Sequence, residues 1–197
     1  DEIIRRASEE LGRNDIMILQ DQGHGFFSRS VIDRLKYLTK NYKVLANSQT
    51  YFKQPNHLSY AGFQTVFVNE SEARRIDNDF NSEGDGKTLT EKLNSSVCVT
   101  LGGDGAIFFK DGKRYYSKGL SVASVDSCGA GDSFLSAFAL SDFDAEPWLA
   151  LKIANIWAGL SVLKKGTEVP KLEELRHYIK ETYSEGVQNE ARERETS

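Results

Sequence analysis

The chain has 197 residues, 39% of them hydrophobic and 27% charged, with a formal net charge of −4. That length suits one domain with a substantial buried core, and the acidic balance, with no basic stripe to offset it, speaks against a nucleic-acid partner. No apolar run approaches a membrane span and Asp1-Glu2-Ile3-Ile4-Arg5-Arg6 lacks the apolar centre of a signal peptide, so a soluble, cytoplasmic protein without a membrane partner is expected.

In chain order, the amphipathic segment from Glu2 to Leu11 precedes an apolar run from Asp15 to Gln20 that reads as a buried strand. The turn Asp21-Gln22-Gly23-His24-Gly25 leads to a helix predicted from Ser28 to Thr39, with Val31, Ile32, Leu35 and Leu38 on one face. Tyr42 to Ala46 and Thr65 to Val68 read as further strands, the second running into a helix from Ser71 to Ile76. A polar linker over Asn81 to Gly86 is followed by a short helix at Leu89 to Leu93 and a strand at Val97 to Leu101. Gly102-Gly103-Asp104-Gly105 turns the chain into Ala106 to Phe109, and Asp111-Gly112 predicts a hairpin into Arg114 to Tyr116. Strands alternating with helices predict an α/β fold with a largely parallel sheet flanked by helices.

The second half is predominantly helical. Phe134, Leu135, Ala137, Phe138 and Leu140 mark one helix, Pro147 to Leu163 a long one, and Lys171 to Tyr183 a third. In the long helix Ile153, Ile156, Leu160 and Leu163 fall at core spacing, and Trp157 is read as packing. From Ser184 onward Glu and Arg dominate without apolar periodicity, so residues 184–197 are expected to form a disordered tail behind a domain of residues 1–183.

The chemistry concentrates in Val125-Asp126-Ser127-Cys128-Gly129-Ala130-Gly131-Asp132-Ser133-Phe134. Gly129 and Gly131 allow the backbone to approach an anion closely, and the helix that follows points the positive end of its dipole at the same place. Asp132 stands where a proton acceptor is needed, which makes the segment an anion hole with a base beside it. The competing reading is an ordinary helix start with an Asp cap. Cys98 reads as a small core residue, while Cys128 is open between a reactive thiol and an inert small residue. His24, His57 and His177 are too scattered to suggest structural zinc.

This segment resembles the C-terminal signature of the ribokinase-like carbohydrate kinases, the PfkB family: an Asp, two small residues, then Gly-Ala-Gly-Asp. The resemblance implies that Asp132 is the catalytic base and that the amides of Gly129, Ala130 and Gly131 hold the transferred phosphate. Asn69-Glu70-Ser71-Glu72 resembles the family's Asn-x-x-Glu element, which implies that Glu72 and Asn69 organise magnesium and its waters; a helix capping box is the alternative. Thr100-Leu101-Gly102-Gly103-Asp104-Gly105 is similar to the family's nucleotide segment, implying ATP contacts at Thr100, Gly102 and Gly105, against an ordinary tight hairpin. Ala154 to Gly159, with Lys165-Gly166-Thr167, resembles the helix and loop flanking adenine and implies Asn155 and Gly159 as nucleotide neighbours.

Two further features follow from the resemblance. Asp126 is a candidate for a monovalent-cation site binding potassium, the alternative being a turn cap. Asp21 and His24 echo the Asp-x-Gly-x-Gly turn of the heptose-phosphate kinase branch, which implies a place near the substrate, with His24 where a Lys is usual; a polar loop residue is the alternative for His24. The segment Leu45-Ala46-Asn47-Ser48-Gln49-Thr50 departs from that branch, which carries an Asp-Pro segment there. The likeness covers only the C-terminal part of the family's usual length, without its N-terminal portion and lid. The expected function is ATP-dependent phosphorylation of a sugar or sugar-phosphate hydroxyl, with a non-catalytic nucleotide-binding or regulatory module as the alternative. The expected partners are the nucleotide and the sugar substrate, with a homo-oligomer or a missing N-terminal half beside them.

Overall fold

A computed structural model describes residues 2–11, 16–49, 56–123, 125–166 and 168–182. Among these residues six strands form one sheet in chain order: β1 (Ile16–Asp21), β2 (Lys43–Ser48), β3 (Thr65–Asn69), β4 (Ser96–Thr100), β5 (Ala106–Lys110) and β6 (Lys113–Ser117). The pairings from β1 to β4 are parallel, and β5 and β6 join as antiparallel strands. Connection length decides which. Parallel neighbours need a crossover, supplied between β1 and β2 by α2 (Arg29–Leu38) and between β3 and β4 by α3 (Glu70–Ile76) and α4 (Lys87–Leu93). The β5–β6 hairpin closes over Asp111 and Gly112, both at positive φ, the conformation a two-residue turn demands.

Period-two alternation sorts the strand residues into two cores. Val44, Ala46, Val66, Val68, Val97, Val99, Ile107 and Phe109 pack with the helices between β1 and β4. Leu45, Phe67, Cys98, Ala106 and Phe108 face α5 (Ala130–Ala139) and α6 (Pro147–Ser161). Phe138 of α5 sits edge-on to Phe67 and Phe108, with ring centroids 5.3 and 5.1 Å away. Cys98 is the register partner of both phenylalanines, and its small side chain leaves room for the ring. Burial pushes its thiol pKa up, as befits an inert core residue.

The predicted elements recur within two residues of their expected ends, with α1 (Glu2–Leu11) at the start and helical residues 172–182 at the end. One correction concerns α6. Its fully buried positions are Ala150, Leu151 and Ala154; of the four expected core positions Ile156 is buried, whereas Leu163 is exposed and Ile153 and Leu160 are half-buried. Small alanines let α5 approach closely, so the deepest face of α6 is its first half. The 3₁₀ turn at Asn56–Tyr60 has no periodicity to announce it, because it is held by burial of His57 and Tyr60 and by side-chain bonds from Asn56 and Tyr60 to the distant Asp21. Asp15, Thr50, Thr167, Tyr183 and the expected tail 184–197 lie outside the described residues. Among those described, no helix is long and apolar enough to cross a membrane.

Candidate active site

The C-terminal ends of the parallel strands place Gln20, Asp21, Asn47, Ser48, Asn69 and Thr100 along one edge of the sheet, where open α/β folds bind ligands. Helix α5 starts over that edge. Its N-cap, Gly129, takes φ +78° and contributes no side-chain cap, so the first turn presents amide N–H groups and the dipole's positive end. Asp132 lies in that first turn. A cavity of about 250 Å³ between helix and strand ends is lined by Gln20, Asn47, Asn69, Glu72, Gly131 and Asp132 among others.

A second cavity of about 330 Å³ adjoins it and shares Thr100, Gly131 and Phe134. Gly102, Gly103, Gly105, Asn155 and Gly159 line this one. The glycines divide into two kinds. A Cβ at Gly102, Gly103 or Gly131 would meet nothing within 4 Å, so their bareness keeps space open. At Gly105 a Cβ would strike the backbone of Ser117 and Gly119, and at Gly159 it would strike Leu120. Those two permit close approach of protein to protein, and thereby shape the wall. Asn155, almost fully buried, donates from Nδ2 to the Ser117 carbonyl at 2.8 Å and ties α6 to the end of β6.

Helix α3 begins below the first cavity with a complete capping box. Asn69 Oδ1 accepts the Glu72 N–H at 2.9 Å, and Glu72 Oε2 accepts the Asn69 N–H at 2.9 Å. The capping alternative for these residues is therefore realised, while Glu72 also faces the cavity. The fully buried His57 places Nε2 3.5 Å from Glu72 Oε2. Burial holds this histidine below its usual pKa, with the Glu72 carboxylate opposing.

Asp21 is the hub of a buried network. Its Oδ2 accepts from Tyr60 Oη at 2.7 Å and Asn56 Nδ2 at 2.6 Å, and its Oδ1 accepts the Gly23 N–H at 2.9 Å. Burial and this carboxylate push the Tyr60 hydroxyl's pKa far up. The bonds pin the loop after β1 to the 3₁₀ turn. His24 sits exposed on that loop. Asp126 accepts the N–H groups of Cys128 and Gly166, each at 2.9 Å, which hold its carboxyl below the usual range. It thus clamps the segment before α5 to the one after α6.

Two residues at the site escaped sequence reasoning. Gln20 Nε2 donates to Asp132 Oδ1 at 3.0 Å, and Gln20 Oε1 accepts from Asn47 Nδ2 at 3.0 Å. The available signal was a polar residue closing each of two apolar strands, at positions that pair in register. Among the described residues no cluster of three His, Cys, Asp or Glu side chains could hold a metal.

Residues 30–174 match the model of the pfkB family carbohydrate kinases. The chain is 28% identical over 190 residues to deoxyribokinase from Salmonella typhi, covering 90% of this chain and 60% of that protein. It is likewise 28% identical to the bifunctional protein HldE from Desulfatibacillum aliphaticivorans, over 91% of this chain and 38% of that one. The chain therefore spans about 60% or less of the length of these relatives. Among solved structures, Arabidopsis thaliana ribokinase complexed with ribose and ATP superposes with a TM-score of 0.70 at 21% identity, over 90% of this chain and 58% of that one. A putative ribokinase II from E. coli in complex with ATP and magnesium gives 0.69 at 19%, over 88% and 61%. At these identities the likeness establishes the ribokinase-like fold.

Proposed function

Since the chain belongs to the pfkB family of carbohydrate kinases, we propose that it transfers the terminal phosphoryl group of ATP to a hydroxyl of a sugar or sugar phosphate. The observation that carries this reading is the uncapped start of α5 between two adjoining cavities, with Asp132 in its first turn. The larger cavity, opened by Gly102, Gly103 and Gly131, takes the nucleotide: a side chain at any of the three would fill space that no protein atom occupies. The smaller one takes the acceptor.

Asp132 accepts the proton as the acceptor O–H bond breaks; the freed electron pair forms the new bond to phosphorus, and the bond to the ADP oxygen breaks. The amides of Gly129, Ala130 and Gly131 stabilise charge on the moving phosphoryl group, in a place where the helix dipole adds to them. Asn69 and Glu72, oxygen donors on the lining of the acceptor cavity, would hold a hydrated magnesium ion with the acceptor capacity their capping bonds leave over. When bound, magnesium supplies charge neutralisation on the phosphates. Potassium would use the remaining lone pairs of Asp126, whose two oxygens each already accept an amide N–H.

The names of the relatives span deoxyribokinase, ribokinase and 1-phosphofructokinase, so the acceptor is proposed only as a sugar or sugar phosphate. The deciding experiment is Asp132→Asn in the protein at its natural length. Loss of a positioned base is expected to slow phosphoryl transfer by roughly 10²–10⁴ while ATP affinity stays within a few-fold. Near-parental turnover with a lower melting temperature would make Asp132 a cap and withdraw the catalytic assignment. Nucleotide binding without transfer to any sugar in the parent would favour the non-catalytic module.

A further inference from the structure

We infer that Gln20, braced by Asn47, is a positioning residue that holds one oxygen of Asp132 and leaves the other to take the acceptor's proton. The inference rests on the phosphoryl-transfer reading above. Gln20 and Asn47 are register partners on β1 and β2, so their side chains stand side by side at the strands' C-terminal ends. Both strands belong to the sheet, which makes this a brace on rigid elements and not on a loop. Asp132, by contrast, is an exposed residue in the first turn of a helix whose N-cap offers no side chain. Without a partner its carboxylate would sample several rotamers.

The bonding leaves a single arrangement. Asn47 Nδ2 donates to Gln20 Oε1 at 3.0 Å, which turns the Gln20 NH₂ toward Asp132 Oδ1, also at 3.0 Å. Reversing the Gln20 amide would place oxygen against carboxylate and NH₂ against NH₂. A neutral amide is well suited to the task. It fixes the carboxylate in direction without the full positive charge by which Arg or Lys would weaken a base. Asp132 Oδ2 is then the oxygen that faces an incoming hydroxyl, and holding it in place is worth rate because reactivity falls steeply with misplacement.

Gln20 and Asn47 also line the acceptor cavity, so a direct contact with the acceptor is the rival explanation. Kinetics of the natural-length protein separate the two. Gln20→Leu removes the donor with a side chain of similar bulk; kcat is expected to fall about tenfold, with the KM for ATP and for the acceptor within about twofold. In an Asp132→Asn background the same substitution is expected to cost less than about twofold, since nothing remains to position. An equal loss in both backgrounds, or a raised acceptor KM with unchanged kcat, overturns the inference. Should Asp132→Asn itself leave transfer near parental, the functional reading falls; should it abolish transfer while Gln20→Leu has no effect, only the inference falls. A second readout needs no turnover. In ¹⁵N-labelled protein the Gln20 side-chain amide proton is expected to shift on Asp132→Ala, and a resonance that does not move overturns the contact.

Discussion

Helices α3 and α5 both begin beside the cavity at the sheet's edge, yet their ends are finished in opposite ways. At α3 the chain satisfies itself: Asn69 and Glu72 exchange side-chain and backbone bonds in a closed box. At α5 the cap position is Gly129 in the left-handed region, with no side chain to offer. A glycine in place of a side-chain cap costs a helix only about a few tenths of a kcal/mol, so the fold leaves α5 open at small expense. What it keeps in return is a helix start that no cap side chain closes, with Gly129 and Gly131 on the cavity's lining. A helix end becomes a site for an anion when the protein declines to close it.

The contrast is broken most severely at Gly131. A Cβ there meets no atom within 4 Å, so Gly131→Val should leave the fold intact while filling the space above the open helix end. Nucleotide affinity is expected to drop by on the order of tenfold to a hundredfold, with the melting temperature of the free protein nearly unchanged. Calorimetric titration with ATP and a thermal melt of the same sample check both halves. A variant that binds ATP normally would show that the open space does not serve the nucleotide.

The closed end is sharpened by a pair of substitutions. Asn69→Ala breaks the box and is expected to cost about 1 kcal/mol of stability in denaturant titration. Glu72→Gln keeps the box, since an amide oxygen still accepts the Asn69 N–H, but removes the charge. Stability should hold within about 0.5 kcal/mol, while the gain in ATP affinity on adding magnesium shrinks. Equal loss of affinity with and without magnesium would leave Glu72 with the cap alone.

The smallest effect lies beneath α3, at His57. Its imidazole is held neutral by burial below the ordinary value of 6.5. The unfolded chain therefore binds more protons as the pH falls past that value, and stability, full above it, declines toward the folded-state pKa. A series of melts from about pH 7.5 to about pH 5 should show this slope in the parent and a shallower one in His57→Leu. Identical slopes would mean that His57 does not titrate on unfolding.

Much of this site was legible in local pattern. Gly129 to Asp132 could be read as an anion hole because glycine freedom and a first-turn carboxylate are properties of neighbouring residues. The glycines at 102, 105 and 159 were equally visible, but their separate tasks were not. Whether a missing Cβ leaves space open, as at Gly102, or admits Ser117 and Gly119, as at Gly105, depends on segments more than ten residues away. Asp21, expected near the substrate, turned out to be tied by Tyr60 and Asn56 into a buried hub. Those partners lie in a 3₁₀ turn that no periodicity announces.

By itself the sequence determined the alternation of strands and helices, the two faces of each strand and the chemistry of the α5 start, since each is set by spacings within a dozen residues. Only tertiary structure decided which partners meet. Gln20 and Asp132 are 112 positions apart and touch because β1 and α5 are brought to the same sheet edge. Gln20 and Asp21, neighbours in the chain, are sent by the strand's pleat to opposite faces, one to the base and the other to the buried network. Short-range geometry is written into local residue order, whereas long-range closure follows from how two cores fill the two sides of one sheet.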